Sequence, residues 1–430
     1  MDPVPLNTFQ RIMRLWDQVH PYNAAHAARV VGPADIQRVS DAWRSTLRQM
    51  GVGRITVRGN EYRHVAPADN DPDADLHIHQ NGRTIDQLIT DEMNTRMDAD
   101  EGCPFRAFLL TEKDTYCIGV NYHHWVADSA SIRWLMREWF SRIQNPAAEA
   151  SKRATIPTKG VWDYFGPNVA KWRLDEGVLS LLRYKTRFSR ARFIEAPVPE
   201  CKVVVSFHHL PDGLAAPLVK IARSRNATFN DLMIAVMAQT IDQLGVTPSR
   251  PGRDELALGT IVDVRNQART PMDDVFGLFL GFTTTMVRNQ DLKSWDRLLS
   301  RVARQNQFQK ESKAALASIL RMVAVLIDAR FRSPQRWAEA TRRSLPIAGG
   351  VSNVNMNRTW ASEHHPSTIL DYYRVAPTGP LLPAAFTPTT LGSRINFGIT
   401  RLACLFDENR TAAIAQSISN RLIELAGSAR

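Results

Sequence analysis

Two adjacent histidines, His123 and His124, and a carboxylate, Asp128, fall within nine residues of one another in the run Asn121-Tyr122-His123-His124-Trp125-Val126-Ala127-Asp128-Ser129. A neutral imidazole near pH 7 can take a proton from a hydroxyl, an amine or a thiol. Such help is typically worth ~10²–10⁴-fold in rate. The carboxylate, four residues after His124, can orient the loop or bond to an arginine. If the strand persists, residues 123 and 124 point to opposite sides, so only one can face a given cavity. Zinc binding is disfavoured, because adjacent histidines lack helical ligand spacing and no Cys or Glu partner is in place. On its own, a His-His pair is read most simply as a strand end held by backbone carbonyls. Its context carries the case for chemistry.

That context is strand, tight loop, helix. An apolar, β-rich run over 115–122 enters the loop, and an amphipathic stretch over 132–140 leaves it. Loops on rigid scaffolds are where chemistry usually sits. The first 145 residues alternate helix and strand signals. Helices are predicted over 34–50, after Gly32-Pro33 and before Gly51, and over 85–97. Strands are predicted over 55–58, 76–79, 105–110 and 116–122. Residues 145–200 are rich in Lys, Arg and Pro and read as a crossover holding one helix, 172–188. Beyond it, helices are expected over 213–225, 229–244, 295–309, 314–328, 334–343 and 411–426, with Asn230-Asp231 supplying capping chemistry to the second. Strands or extended runs are expected over 256–263, 277–286, 350–355 and 395–400. The expected domains are 1–195 and 196–430.

At 430 residues, two domains or lobes are expected. Hydrophobic content of 44% and charged content of 23% are ordinary for a globular protein. No run reaches the length of a membrane span, and Met1-Asp-Pro-Val-Pro-Leu-Asn has no signal-peptide character. The expectation is a cytoplasmic, monomeric protein. The four cysteines, Cys103, Cys117, Cys201 and Cys404, make no CxxC pair and read as reduced thiols with no zinc site. The net charge is +11. Residues 151–193 and 301–343 each hold ten Lys/Arg and three Asp/Glu. They read equally well as solvated helical faces or as surfaces for an anionic partner. Nucleic acid is disfavoured, since no zinc finger, RNA-binding signature or basic arm occurs.

His123-His124-Trp-Val-Ala-Asp128-Ser129 resembles the HHxxxDG motif of the condensation-domain and chloramphenicol-acetyltransferase-like acyltransferase superfamily. Three further segments agree in order. Thr228-Phe-Asn-Asp-Leu232 resembles the TxND helix start of the second lobe. Val262-Asp-Val-Arg265, with Asp274-Val-Phe-Gly277, resembles the arginine strand and its following glycine. Ser352-Asn353-Val354 resembles the SNV strand. The resemblance implies an α/β fold of two chloramphenicol-acetyltransferase-like lobes forming a V with a central channel. It implies a free-standing acyltransferase for natural-product or lipid biosynthesis. The acyl group would move from a thioester, on coenzyme A or a carrier protein's phosphopantetheine, to a small-molecule alcohol or amine. His124 would be the catalytic base and His123 a loop-orienting residue. Asp128 would pair with Arg265 on the second lobe. Asn353 or Asn355 would hydrogen-bond near the reacting centre, and Trp125 and Ser129 would line the channel. No metal or bound cofactor is implied. Ser129 replaces the motif's glycine, where a serine can cap the helix. That departure keeps open an alternative: a non-catalytic module that binds a carrier protein.

The remaining motifs are weaker. His208-His209 and His364-His365 read as surface pairs. His77 and His79 share a strand face but lack a third ligand. Trp134 and Trp139 read as core. No GxxxxGK[ST], GxGxxG or GxSxG occurs, which argues against nucleotide hydrolysis, a Rossmann cofactor and an acyl-enzyme serine.

Overall fold

The computed structural model describes residues 3–67, 74–79, 82–98, 100–147, 154–157, 160–165, 186–192, 201–244, 252–358, 360, 368–378 and 382–428. The His364-His365 pair, most of the predicted helix over 172–188 and the 195/196 division lie outside these residues. In chain order the strands are β1 (Val4–Pro5), β2 (Asn23–Val31), β3 (Arg54–Arg58), β4 (Glu61–Val65), β5 (Leu76–His79), β6 (Glu101–Gly102), β7 (Phe105–Thr111), β8 (Thr115–His123), β9 (Val203–His209), β10 (Glu255–Asp263), β11 (Leu280–Arg288), β12 (Gly349–Val351), β13 (Val354–Asn355), β14 (Ile369–Val375), β15 (Ala384–Leu391) and β16 (Arg394–Leu402). The helices are α1 (Thr8–Val19), α2 (Ile36–Met50), α3 (Ile85–Asn94), α4 (Ser129–Gln144), α5 (Ala215–Ser224), α6 (Phe229–Gln243), α7 (Asn289–Leu292), α8 (Trp295–Glu311), α9 (Ala314–Ala329), α10 (Pro334–Ser344) and α11 (Glu408–Gly427).

The chain forms two compact α/β units that are not single stretches of sequence. The first comprises Met1–Ala170, Asp263–Leu280 and Asn357–Pro377; the second comprises Lys171–Val262, Gly281–Met356 and Thr378–Arg430.

The first unit is built on a five-stranded sheet of order β14-β2-β8-β7-β5 and a smaller sheet of order β1-β4-β3-β6. Strand β8, which leads into the histidine loop, is central and is buried along all but its first residue. It is antiparallel to β2 and β7. Gly119 of β8 stands opposite Phe108 of β7. A Cβ there would lie 2.2 Å from the Phe108 ring, so the missing side chain makes room for it. Helix α4 packs beside α2 through Trp139 and Trp43, whose rings are 4.8 Å apart.

The second unit is built on a seven-stranded mixed sheet of order β11-β10-β12-β15-β16-β9, with β13 beside β15. Its core joins buried residues of α6, such as Met233 and Met237, with Phe386, Phe397 and Ile418. Thr228 and Asp231 form the capping box at the start of α6. Strand β11 lies at the sheet edge. The N–H groups of Phe282 and Thr284 donate to Ser318 Oγ at 2.9 Å and Gln309 Oε1 at 3.0 Å. Side chains thereby satisfy an edge that would otherwise invite pairing.

One expectation is corrected. Cys201 and Cys404 form a disulfide, leaving Cys103 half-buried and Cys117 buried as free thiols. The bridge sits just past the end of the β9–β16 ladder, whose final pair is Val203 and Leu402. Separated by 203 residues, the two cysteines gave no local spacing signal. The His208-His209 pair divides as well: His209 is exposed, whereas the His208 ring stacks on Phe397 at 5.4 Å.

Candidate functional site

The histidine loop is tied down from both ends. At its start, the His124 N–H donates to the Tyr22 carbonyl at 3.0 Å, and the His123 N–H donates to the Pro104 carbonyl at 3.0 Å. At its end, the Asp128 N–H donates to the Gly277 carbonyl at 3.1 Å. Such ties restrict the loop and so fix the ring that it carries.

The two imidazoles face different surroundings, as strand alternation requires. His123 is fully buried, with Nε2 3.4 Å from Asp17 Oδ1. Asp17, on α1, also accepts the Tyr22 N–H at 2.8 Å and sits 3.2 Å from the Arg96 guanidinium. Burial pushes the Asp17 carboxyl up, but His123, Tyr22 and Arg96 outweigh it and hold it below the usual range. His123 therefore fastens α1 to the loop.

His124 is half-buried. Its Nδ1 lies 3.1 Å from the Ala127 carbonyl oxygen. A carbonyl only accepts, so Nδ1 carries the hydrogen and Nε2 is left as the basic nitrogen. Tyr22 stacks near the ring at 6.0 Å and Tyr122 meets it edge-on at 5.7 Å. Burial pushes the His124 pKa below 6.5, and the bond to Ala127 only partly opposes this. The ring is thus neutral at pH 7.

Asp128 is buried and uses both oxygens. Oδ1 caps α4, accepting the Ala130 and Ser131 N–H groups at 3.1 and 3.0 Å. Oδ2 accepts from Arg265 Nη1 at 2.6 Å and from the Phe279 N–H at 2.8 Å. Burial acts to raise its pKa, yet the Arg265 guanidinium and these donors hold it below 3.8. Arg265 also donates to Ser131 Oγ at 3.0 Å and lies over the Phe279 ring at 4.9 Å. The structure brings Asp128 and Arg265 together, but Arg265 belongs to the first unit, not the second lobe. The segment 263–280 returns from sequence-distant positions to pack at the head of α4.

Ser129 is the first residue of α4 and not its cap, because Asp128 takes that role. Its hydroxyl accepts from Arg374 Nε at 3.3 Å. Trp125 has no exposed surface. It packs edge-on against Tyr62 at 5.2 Å and lies under the Arg14 guanidinium at 5.3 Å, so it is core and lines no opening. Asn353 and Asn355 lie in the second unit. Asn353 is half-buried and Asn355 exposed.

Sequence reasoning missed Asp17, Tyr22, Tyr122 and Arg374. Asp17 lies in α1, and its paired histidine was the only available hint. A cavity of about 720 Å³ runs along α4, walled by Arg133, Trp134 and Arg137 of the helix and by Asn266, Arg269 and Met272. Among the described residues, no group of three His, Cys, Asp or Glu side chains is placed to hold a metal. Nor is any helix among them long and apolar enough to cross a membrane.

The site is a half-buried histidine on a loop between a central strand and an aspartate-capped helix. Residues 2–164 match the Condensation domain family. Over 328 residues the chain is 27% identical to phosphinothricin tripeptide synthetase PhsC of Streptomyces viridochromogenes, covering 70% of this chain and 29% of that protein. It is 22% identical over 289 residues to surfactin synthase subunit 1 of Bacillus subtilis, covering 65% of this chain and 8% of that protein. The chain therefore spans less than a third of the length of either relative. Among solved structures, the first condensation domain of the CDA synthetase has a TM-score of 0.69 at 16% identity, covering 99% of this chain and 96% of that one. The condensation domain of the Monacolin K polyketide synthase MokA gives 0.68 at 12% identity, covering 99% and 98%. The EpoB cyclization-docking bidomain from Sorangium cellulosum gives 0.68 at 13%, covering 99% and 85%. The whole chain shares the fold of these domains.

Proposed function

We propose that this chain is an acyltransferase of the condensation type, forming an amide from a carrier-tethered acyl thioester and an amine acceptor. In this reading the amine nitrogen attacks the thioester carbonyl carbon. A C–N bond forms, the C–S bond breaks and the thiol departs. His124 Nε2 takes the amine proton and returns it to the leaving sulfur. Asp128 and Arg265 touch neither reactant; they hold the 263–280 segment and the head of α4 in register with the loop. Asn353 and Asn355 are assigned as supporting hydrogen-bonding residues, and no bound metal or cofactor enters the reaction.

The observation that carries the reading is the Nδ1 contact of His124 with Ala127. It selects the tautomer with a basic Nε2 in a ring that burial keeps neutral. The relative named a tripeptide synthetase favours an amide product over an ester.

Ser129 in place of glycine favours a second reading, a module that binds a carrier without turnover. Thiol release from acyl thioesters, offered on a carrier and on coenzyme A with amine and alcohol acceptors, separates the two. The acyltransferase reading expects release that depends on acceptor and on His124. Acceptor-independent background alone would favour the binding module.

A further inference from the structure

Asp17 takes no part in the acyltransfer chemistry, yet its carboxylate is buried in the last turn of α1, with the residue only 6% exposed. A charge at that depth costs stability unless partners offset it. Two of its partners adjoin His124. The first is Tyr22. Asp17 Oδ1 accepts the Tyr22 N–H at 2.8 Å, and the Tyr22 carbonyl accepts the His124 N–H at 3.0 Å. One peptide segment is thereby pinned between the carboxylate and the amide of His124. The Tyr22 ring also stacks on the His124 ring at 6.0 Å, with the two planes 18° apart. The second partner is His123, the residue before His124, whose Nε2 lies 3.4 Å from the same Oδ1. The sheet register joins the two partners, because Asn23, next to Tyr22, stands opposite His123 in the β2–β8 ladder.

The carboxylate is itself held in place. Arg96 Nη1 sits 3.2 Å from Asp17 Oδ2 and also donates to the Asp17 carbonyl oxygen, while Nη2 donates to the Gln18 carbonyl at 3.4 Å. The guanidinium thus closes the carbonyl end of α1, where a cation is favoured. Trp16 packs against the Tyr22 ring at 5.2 Å. All of these residues belong to the first unit. The charged and titratable groups that act on Asp17 or respond to it are His123, Arg96 and His20. Those that act on His124 or respond to it are Asp128, His123 and His26.

We propose that Asp17 is a positioning residue for His124: by holding the Tyr22 N–H and facing the His123 ring, it sets where the His124 imidazole lies. It touches neither reactant. Its importance for the rate rests on the acyltransfer reading, in which His124 is the base; its hold on the ring does not. The Tyr22 bond needs an oxygen at Oδ1 rather than a charge. Asparagine offers such an oxygen, and alanine offers none. Without it the Tyr22 N–H loses its acceptor, and the segment that carries both the stacking ring and the His124 tie is released.

The test compares wild type, Asp17→Ala, Asp17→Asn and Arg96→Ala by backbone amide exchange in NMR and by acceptor-dependent thiol release. In Asp17→Ala the His124 amide should exchange about tenfold faster or more, the size of a lost hydrogen bond to a charged group, while amides at the centre of β8 keep their wild-type rates. Asp17→Asn should restore most of the protection. In thiol release, kcat of Asp17→Ala should fall by up to about a hundredfold with KM nearly unchanged, as displacement of a catalytic group without loss of a substrate contact requires. Asp17→Asn should recover most of that kcat. Arg96→Ala alters an exposed side chain and loosens the same carboxylate from outside, so it should speed the His124 amide in the same direction. Wild-type exchange at His124 in a folded Asp17→Ala protein overturns the proposal. So does faster exchange shared equally along β8, or an Asp17→Asn protein that behaves as Asp17→Ala in both readouts. Should Asp17→Ala not fold, unchanged His124 exchange in Arg96→Ala overturns it instead. A wild type with no acceptor-dependent release would remove the acyltransfer reading, and the exchange rates would still decide the role of Asp17.

Discussion

Asp128 Oδ2 lies 2.6 Å from Arg265 Nη1, although 137 residues separate them in the chain. The carboxylate is 1% exposed and the guanidinium 12%. Its other oxygen closes the first turn of α4, so one side chain joins a helix start to a distant segment. Arg265 also sits 3.3 Å from Asp263 Oδ1, but Asp128 is the more deeply buried partner, so deleting the guanidinium leaves its charge desolvated.

Arg265→Ala should therefore lower unfolding stability by on the order of 3–5 kcal/mol, read from urea denaturation. The sign of the pH effect follows from the Asp128 shift. Its folded pKa is held below 3.8, so the contribution is fully present above 3.8 and fades as pH falls below it. Wild type and Arg265→Ala should converge in strong acid. Parallel curves down to the lowest pH would contradict the pairing.

The acid limb of the rate profile is also determined in direction. The His124 pKa lies below 6.5, and in the proposed reaction the base would act unprotonated. With kcat/KM followed from about pH 5 to about pH 8, the half-maximal point should fall on the acid side of 6.5. A half-maximal point above 6.5 would mean that the ring is stabilised as the cation.

Gly119→Ala tests the support beneath the loop. The added methyl would meet the Phe108 ring, which is itself buried and has no free space to enter. The expected cost is roughly 1–3 kcal/mol, with a parallel loss of activity because β8 carries the histidines. Full native stability would show that the two strands part more easily than the register implies.

Thiol titration checks the disulfide. Of four cysteines, two should react in unreduced, denatured protein and four after reduction. Cys404→Ser should cost about 2–4 kcal/mol. Four reactive thiols without reductant would mean that the bridge does not form.

Much of the frame was legible because local patterning and tertiary demand agreed. Strand β8 read as a strand from its apolar, β-branched run, and α4 from its amphipathic spacing. Capping chemistry was read at Asn230-Asp231, whereas the cap of α6 is Thr228 with Asp231 as its capping-box partner, and α10 begins at Pro334 as its predicted range does. Strand β2 gave no such signal. Its sequence, Asn-Ala-Ala-His-Ala-Ala-Arg-Val-Val, has little β-propensity, and burial between β14 and β8 makes it a strand. In the site, the histidines and Asp128 were visible as a local run. Arg265 was visible only through resemblance, and it was assigned to the wrong unit because chain order does not reveal that 263–280 folds back. Arg374 could not be found at all, because only the β14–β2 register aligns it with the loop.

The central claim is that His124 is the base, and His124→Ala tests it most directly. With a carrier-bound acyl thioester and an amine acceptor, acceptor-dependent thiol release should fall by ~10²–10⁴-fold, while the circular dichroism spectrum and thermal midpoint stay near wild type. Release at the wild-type rate by a folded His124→Ala protein would contradict the account.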